Sequence, residues 1–378
     1  MHSWNRTRGF AAIAALAAFA IGTASAADVP NIAQPPPVKD DGTVTVPSFD
    51  LPFSSFASRE ARDSMIHRLR NPLQVSRDMT KMRQMSDEKL RPLFEKSRAM
   101  YPYTSTRSKI DGVPVETFVP NSGIAPANKD RVLIQVHGGG FTGGGGGQTG
   151  AIESVPLSSV ARIKIIAIDY RLGPENHFPA ASEDVTAVYR ELLKTYKPQN
   201  IGIYGCSAGG MLSAEMIPWF LKEKLPLPGA LGVFCASLHT FEEGDSAHLQ
   251  PRLGSTVPII PPDVPEETFG ASNPYFAGVS TKDPLAVPGA SREVMKSFPA
   301  TLFLTGTRAP EMSGAAQSHL ELKELGVKSE LLLFDGMDHG FYSDPTLPES
   351  QQAYKLIAEF FAENLGVRGK PPASQKTN

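Results

Sequence analysis

The amino-acid sequence predicts an α/β fold in which helices flank a mostly parallel central sheet. Three short, mostly apolar runs at 131–136, 163–168 and 301–305 have the composition of buried strands, and amphipathic segments such as 181–196 separate them. Strands of a parallel sheet are covered by helices on both faces, so they form continuous apolar runs rather than alternating ones. The alternation of these two patterns predicts the fold class.

The other predicted elements continue this alternation along the chain. Two helices come first, over 58–69 and 86–100, and their place before the strands predicts a helical N-terminal cap on the main domain. Further strands are predicted over 115–119, 201–204, 230–236 and 330–334, and further helices over 210–222, 313–325 and 351–365.

Residues 1–26 have the three parts of a secretory signal peptide. Arg6 and Arg8 precede an apolar run over 10–21, and Ala24–Ala26 offers small residues for cleavage. The apolar run is shorter than the ~20 residues that span a bilayer, which disfavours the alternative of a membrane anchor. We expect an exported chain, periplasmic or secreted, with no membrane span after cleavage.

Changes of composition divide the rest of the chain. Residues 27–105 are expected to form a loose leader followed by the cap, and residues 106–366 the main domain. The Pro-rich stretch 238–299 interrupts the alternation, which predicts an insertion over the carboxyl edge of the sheet. Residues 367–378 read as a polar tail.

Charge and cysteine content exclude some classes of function. The chain has 37 basic and 39 acidic residues, and cleavage after residue 26 would leave 35 basic ones. Such a mildly acidic protein is not expected to bind nucleic acid. The two cysteines, Cys206 and Cys235, lie at the ends of predicted strands, where we expect small buried side chains; a redox role stays open.

The strongest chemical signal is Tyr-Gly-Cys-Ser-Ala-Gly-Gly at 204–210, between a predicted strand and a predicted helix. This context makes G-x-S-x-G a nucleophile elbow. The serine takes a strained conformation at a sharp turn, and glycines two residues to either side avoid clashes with neighbouring elements. The following helix directs its amides at a developing oxyanion. Ser207 is the candidate nucleophile.

A glycine-rich loop, His-Gly-Gly-Gly-Phe at 137–141, directly follows another predicted strand. Acyl transfer needs hydrogen-bond donors at the carbonyl oxygen, and glycines let main-chain N–H groups approach it. The spacing through Gly143, with Asp169 further on, also fits the G-x-G-x-x-G of dinucleotide-binding folds. Glycines continue over 143–147, where that motif requires a helix, so we disfavour this alternative; a simple flexible loop is the other.

The third signal is Asp-Gly-Met-Asp-His-Gly-Phe at 335–341, after the last predicted strand. A histidine in this loop can reach over the sheet edge to the serine and exchange its proton. Single histidines often have structural roles, but the chain order of serine, acid and histidine favours His339 as a base.

Together these motifs resemble the hormone-sensitive-lipase family of esterases. The intervening segments at 169–175, Asp-Tyr-Arg-Leu-Gly-Pro-Glu, and 178–181, Phe-Pro-Ala-Ala, carry the resemblance further, and it covers residues 106–366. The family implies an α/β-hydrolase fold with an N-terminal helical cap and no metal or organic cofactor. It also implies hydrolysis of small carboxylic esters with short to medium acyl chains.

The resemblance assigns roles to individual residues. Ser207 corresponds to the nucleophile and His339 to the base, while the amides of Gly139, Gly140 and Ala208 correspond to the oxyanion hole. Three departures stand out. Cys206 replaces the usual aspartate before the serine, and Gly173 and Asn176 replace the usual alanine and histidine. The third concerns the acid of the triad.

The expected aspartate of the triad aligns with Ala309, and the nearest carboxylate in the same loop is Glu311. A glutamate is one methylene longer and could orient His339 from a displaced backbone, so Glu311 is the predicted acid. Asp335 and Asp338 are alternatives, although each fits a structural role better. Glu311 could instead be an exposed residue that a helix dipole favours.

These observations favour a serine carboxylesterase that forms an acyl-enzyme and acts on small-molecule esters, lactones included. Two alternatives stay open. One is a related hydrolase of amide, peptide or polyester bonds, and the other is a non-catalytic ligand-binding protein on the same scaffold. The presence of both Ser207 and His339 disfavours the second. The sequence leaves the oligomeric state open.

Overall fold

The computed structural model describes residues 36–72, 76, 78–145, 147–240, 243–254 and 273–366. The chain forms two compact units, Met1–Pro52 and Phe53–Asn378. In the described part of the first unit, an antiparallel bridge joins Val38 and Val44. The predicted signal peptide, the polar tail and part of the predicted insertion lie outside the described residues.

Within the described residues of the second unit, eight strands form one sheet in the order β1-β2-β4-β3-β5-β6-β7-β8. The two pairings of β2, with β1 and with β4, are antiparallel, and all the others are parallel, which confirms the predicted fold class. The strands are β1 (Tyr103–Ile110), β2 (Val113–Pro120), β3 (Val132–Val136), β4 (Lys164–Ile168), β5 (Ile201–Cys206), β6 (Ala230–Phe234), β7 (Ala300–Gly306) and β8 (Ser329–Phe334).

Helices pack on both faces of this sheet, and the buried side chains form two large clusters. The helices are α1 (Arg59–Arg70), α2 (Met79–Met100), α3 (Gln148–Ala161), α4 (Ala180–Leu192), α5 (Ala208–Lys222), α6 (Asp245–Leu249), α7 (Arg292–Lys296), α8 (Met312–Glu324) and α9 (Pro348–Asn364). Among the described residues, no helix combines the length and the apolar character needed to cross a membrane.

The two N-terminal helices begin at side-chain caps. The Ser58 hydroxyl accepts a hydrogen bond from the Ala61 amide at the start of α1. The Asp78 carboxylate accepts from two amides of the first turn of α2. Such caps satisfy amides that lack partners within the helix. The helix predicted to begin at Ser86 therefore starts a full two turns earlier, at the Asp78 cap.

Four of the described helices and strands were not predicted from the sequence: β1, α3 and the short helices α6 and α7 within the stretch 238–299. Strand β1 is an edge strand whose six central residues are exposed and mostly polar, so it lacks the apolar pattern of a strand. Helix α3 is buried over the whole of 150–158, and no polar face marks it as amphipathic. In β1 the central side chains are exposed, and in α3 the side chains are buried all round, so neither element has the pattern of one apolar and one polar face.

The parallel strands direct four loops to the same edge of the sheet. The loop after β3 contains Gly139 and Gly140, and Ser207 directly follows β5. The loops after β7 and β8 contain Glu311 and His339. Because the carboxyl ends of parallel strands meet at one edge, residues far apart in sequence can form a single site there.

Candidate active site

Ser207 lies at a strained turn between β5 and α5. Its backbone has φ 60° and ψ −125°, in a region that residues with a Cβ rarely adopt. The Ser207 amide donates to the carbonyl oxygen of Phe234 at 2.9 Å, which anchors the turn to β6. Strain of this kind persists only where the surroundings enforce it, as they do at functional sites.

Close packing against β3 explains the two glycines of the motif. A Cβ at Gly205 would lie 2.1 Å from the carbonyl oxygen of Val136, and one at Gly209 would lie 2.0 Å from the same atom. No side chain fits at either position without moving a central strand of the sheet. The pattern G-x-S-x-G is therefore a packing requirement of the turn that presents Ser207.

His339 and Glu311 form a direct pair. The Nδ1 atom of His339 lies 3.0 Å from Oε2 of Glu311. The second carboxylate oxygen of Glu311 accepts from the Thr305 hydroxyl, also at 3.0 Å. Glu311 is 2% exposed, so it is not the exposed helix-terminal residue that the sequence left as an alternative. Both oxygens of the carboxylate are occupied, which fixes its orientation.

The histidine loop lies against the elbow. A Cβ at Gly340, the residue after His339, would lie 3.9 Å from the sulfur of Cys206, the residue before Ser207. The Arg308 amide donates to the Met337 carbonyl at 2.8 Å and so joins the acid-bearing loop to the histidine loop. These contacts bring the three loops together.

The two alternative carboxylates occupy other positions. Oδ1 of Asp338 accepts from the main-chain amide of His339 at 2.7 Å, and Oδ2 faces Arg68 at 3.4 Å. Asp335 is exposed and accepts from the hydroxyls of Ser54 and Thr307. The hydrogen bonds that these two carboxylates make lead away from the imidazole, to the backbone and to neighbouring loops.

The charge of Glu311 controls the acidity of His339. Burial alone lowers the pKa of the imidazole, but the attraction and the hydrogen bond of Glu311 outweigh burial and raise it to about 9. A raised pKa means that the pair stabilises the imidazolium form. This is the form that a general base reaches when it takes a proton.

The glycine loop after β3 has its carbonyl groups anchored. His137 Nδ1 lies 2.8 Å from the Gly138 oxygen, and the Gly143 amide donates to the Gly139 oxygen at 2.9 Å. In a trans peptide the N–H points opposite to the C=O. The amides of Gly139 and Gly140 therefore point away from these internal bonds, and both residues are exposed.

Side chains from outside the sheet hold the same loop. Arg83 of α2 donates to the Thr142 oxygen at 2.7 Å and to the Gly173 oxygen at 2.8 Å, and it pairs with both oxygens of Glu175. Asn273 donates to the Gly140 oxygen at 2.9 Å. Glu175 thereby braces the glycine loop through Arg83, an arginine that no local sequence pattern singles out.

Within the described residues, the cluster that could hold a metal comprises Cys235, Glu311 and His339, whose ligand atoms lie within 4.8 Å of one another. Cys206 and Cys235 are both free and buried. Burial raises the pKa of Cys235, which disfavours the thiolate that a metal needs. Nδ1 of His339 already bonds to Glu311. These three side chains therefore suit proton transfer better than the binding of a metal ion.

Comparison with known proteins agrees with this geometry. A family model described as the alpha/beta hydrolase fold matches residues 133–343. The chain is 27% identical to esterase LipU of Mycobacterium tuberculosis over 71% of this chain and 91% of the relative. It is 26% identical to an acetyl-hydrolase of Streptomyces hygroscopicus over 64% of this chain and 79% of the relative.

Solved structures give the same result. The crystal structure of an esterase from the bacterial hormone-sensitive lipase family superposes with a TM-score of 0.70 at 25% identity and covers 82% of this chain and 100% of that one. Another esterase crystal structure reaches a TM-score of 0.72 at 27% identity, over 85% and 99% of the two chains. The chain therefore belongs to the hormone-sensitive-lipase family of α/β-hydrolases, and the relatives that it matches are esterases and acetyl-hydrolases.

Proposed function

We propose that this protein hydrolyses carboxylic esters of short to medium acyl chain through an acyl-enzyme on Ser207, with His339 as general base and Glu311 as the acid of the triad. The observation that carries the proposal is the 3.0 Å pair of His339 and Glu311, together with the packing of the histidine loop against the elbow. Such an arrangement is that of a nucleophile, a base and a group that orients the base.

The reaction follows from these positions. The Ser207 hydroxyl attacks the ester carbonyl while His339 takes its proton, and Glu311 stabilises the imidazolium without being protonated itself. The amides of Gly139, Gly140 and Ala208 are the donors proposed for the oxyanion. His339 then gives its proton to the departing alcohol. In the second half of the reaction, water attacks the acyl-enzyme while His339 takes its proton, and His339 returns that proton to the Ser207 oxygen as the acid leaves.

The first prediction concerns the nucleophile. Ser207→Ala should fold normally and lose ester hydrolysis by several orders of magnitude, on the order of 10⁴-fold or more in kcat, because the covalent step is removed. Hydrolysis of p-nitrophenyl butyrate measures the loss, and a phosphonate directed at serines should label Ser207 in the wild type alone. Full activity of the alanine variant would end the proposal.

A substrate screen addresses the bond that is cleaved. p-Nitrophenyl esters of increasing acyl length, with a lactone and an anilide alongside, separate esters from lactones and amides. We expect the highest kcat/KM on short to medium esters. A preference for the anilide would instead favour the amide-hydrolysing alternative.

We also propose that the protein is exported and acts in the periplasm or outside the cell. The support is the sequence pattern of residues 1–26, with its two arginines, apolar run and small residues at the expected cleavage site. The full chain should be processed to begin at Ala27, which N-terminal sequencing of the protein from fractionated cells measures. Unprocessed chain confined to the cytoplasm would contradict the proposal.

A further inference from the structure

One buried carboxyl near the site has no part in the proposed reaction. Glu153 lies in α3 and is 5% exposed. Its Oε2 atom accepts from the hydroxyl of Tyr342, which follows His339 by three residues, at 3.2 Å. The main-chain amides of Gly138 and Cys206 lie close enough to this carboxyl to lower its pKa. Glu153 thus bonds to the segment after His339 and lies near the starts of the glycine loop and the elbow.

The surroundings of Glu153 favour its neutral form. Burial raises the pKa of Glu153 to about 8, although the hydrogen bonds that it accepts limit the rise. The titratable groups that interact with Glu153 are tyrosines of β5, of the segment after β4, of the 3₁₀ turn after His339 and of α9. Burial raises the pKa of each of these tyrosines, so they stay uncharged in the working range of pH: Tyr170, Tyr204, Tyr342 and Tyr354.

We propose that Glu153 is a positioning residue of the ester-hydrolysing site, which through Tyr342 holds the histidine loop in place next to the starts of the glycine loop and the elbow. The inference rests on the proposed function. Glu153 lies where three loops meet that must be aligned to within a fraction of an ångström for acyl transfer, and such alignment is worth large factors in rate. It acts through these loops and not on the substrate.

Ionisation of Glu153 has a definite consequence. A carboxylate at this place would put a negative charge near the loops whose amides must stabilise a developing oxyanion, and in a buried site the repulsion is weakly screened. Activity supported by Glu153 is present below its pKa and is lost as pH rises through it. His339 acts in the opposite sense, because the base must lose its proton and so gains activity with rising pH.

The test compares Glu153→Gln with the wild type, since glutamine keeps the size and the hydrogen-bonding atoms but cannot ionise. The measured quantity is the ratio of kcat/KM of the variant to that of the wild type on p-nitrophenyl butyrate from pH 6.5 to 10, in which the effect of His339 cancels. We expect the ratio to rise by about tenfold or more over this range. A ratio that does not change with pH would overturn the proposal.

Glu215 supplies a matched control. It is also a fully buried glutamate whose pKa burial raises, but it lies in α5 and bonds to the Ser182 hydroxyl at 3.1 Å. Glu215→Gln should leave the alkaline decline of the wild type in place. If Glu215→Gln instead removes the decline as Glu153→Gln does, the effect is general to buried carboxyls and the proposal fails.

A second variant keeps the inference testable if Glu153→Gln folds poorly. The Tyr342 hydroxyl favours the ionised form of Glu153, so Tyr342→Phe should move the alkaline decline to higher pH by about one unit. An unmoved decline would contradict the role of Glu153. If the wild type does not hydrolyse esters at all, the proposed function itself is wrong. If the wild type hydrolyses esters but the variants do not change its pH dependence, only the inference about Glu153 is wrong.

Discussion

The sheet edge and the N-terminal helices are held in different ways. At the sheet edge, Ser207 sits in a turn whose flanking glycines pack so closely on β3 that a Cβ on either would come within 2.1 Å of a main-chain oxygen, and Glu311 is almost fully buried. Helices α1 and α2 reach the same loops through Arg68 and Arg83, whose side chains are 27% and 29% exposed. Close backbone packing fixes the sheet edge, whereas partly hydrated ion pairs hold the helices α1 and α2 to it.

This difference separates two kinds of sensitivity. Ion pairs near the surface contribute about 0–1 kcal/mol and are screened by salt, so the loss of one is tolerated. A buried group that orients a reacting atom has no substitute, and its loss appears in kcat. We therefore expect substitutions at the sheet edge to have large effects that salt does not change, and substitutions in the helices to have small effects that salt does change.

Glu311→Gln tests the first half of this comparison and should have the largest effect. Glutamine still accepts from the Thr305 hydroxyl but loses the charge, so kcat should fall by roughly 10²–10⁴ with little change in stability. The charge of Glu311 raises the pKa of His339, so its removal should move the rise of kcat/KM to lower pH. Steady-state kinetics from pH 5 to 10 measure both effects.

The control for Glu311 is Asp335→Asn. Asp335 lies in the adjacent loop, is exposed and bonds to hydroxyls of Ser54 and Thr307. Its substitution should leave kcat within about threefold of the wild type.

Ala309→Asp combined with Glu311→Ala should restore part of the activity if the carboxylate has shifted along the loop, and no recovery at all would argue that the backbone at 309 cannot reach His339.

The sequence predicted the sheet edge better than its surroundings, for a physical reason. The elbow and the glycine loop depend on local backbone geometry, which only certain residues at fixed spacing permit, so motifs reveal them. Glu311 was predictable as the acid because it is the carboxylate in the short loop between β7 and α8, where the acid is expected. Whether that carboxylate contacts His339 depends on how two loops pack, and the spacing of residues in the sequence does not determine this packing.

The parts that could not be predicted depend on contacts distant in sequence. Arg83 precedes the oxygens that it binds by at least 59 residues, and no local pattern distinguishes it from other arginines of α2. Glu153 lies in a helix buried over 150–158, which lacks the periodicity of an amphipathic helix. Long-range pairs and fully buried helices leave little trace in a single sequence.

Arg83→Ala tests the second half of the comparison and should have an intermediate effect. The pair lowers the pKa of Glu175 to about 2, so it stays ionised at any working pH. Without Arg83 the carbonyls of Thr142 and Gly173 lose a donor, and kcat should fall by about 3–10-fold as the glycine loop becomes less ordered. The same assay at low and high salt measures how much of the difference salt removes.

Two variants separate positioning by Arg83 from the loss of a surface charge. Arg83→Lys keeps the charge but not the planar fork, so it should recover little of the activity. Arg190→Ala removes an arginine that pairs with Glu223 at 3.3 Å between α4 and α5, and it should leave kcat within about twofold of the wild type. Equal losses for Arg83→Ala and Arg190→Ala would mean that the helix anchor has no special role.

Asp338→Asn should have a small effect, although its neighbour is His339. Asparagine keeps the oxygen that accepts from the His339 amide, and only the attraction to Arg68 at 3.4 Å is lost. The charge of Asp338 raises the pKa of His339 less than that of Glu311 does. We therefore expect kcat within about threefold of the wild type and a shift of the pH profile in the same direction as for Glu311→Gln, but smaller.

The pair of variants decides which carboxylate is the acid of the triad. A carboxylate that holds the histidine backbone can be replaced by its amide, because the amide oxygen accepts the same hydrogen bond. A carboxylate that stabilises the imidazolium cannot, because the charge itself is needed. If Asp338→Asn abolishes turnover and Glu311→Gln is nearly silent, the acid is Asp338, and the 3.0 Å contact of Glu311 with His339 is structural.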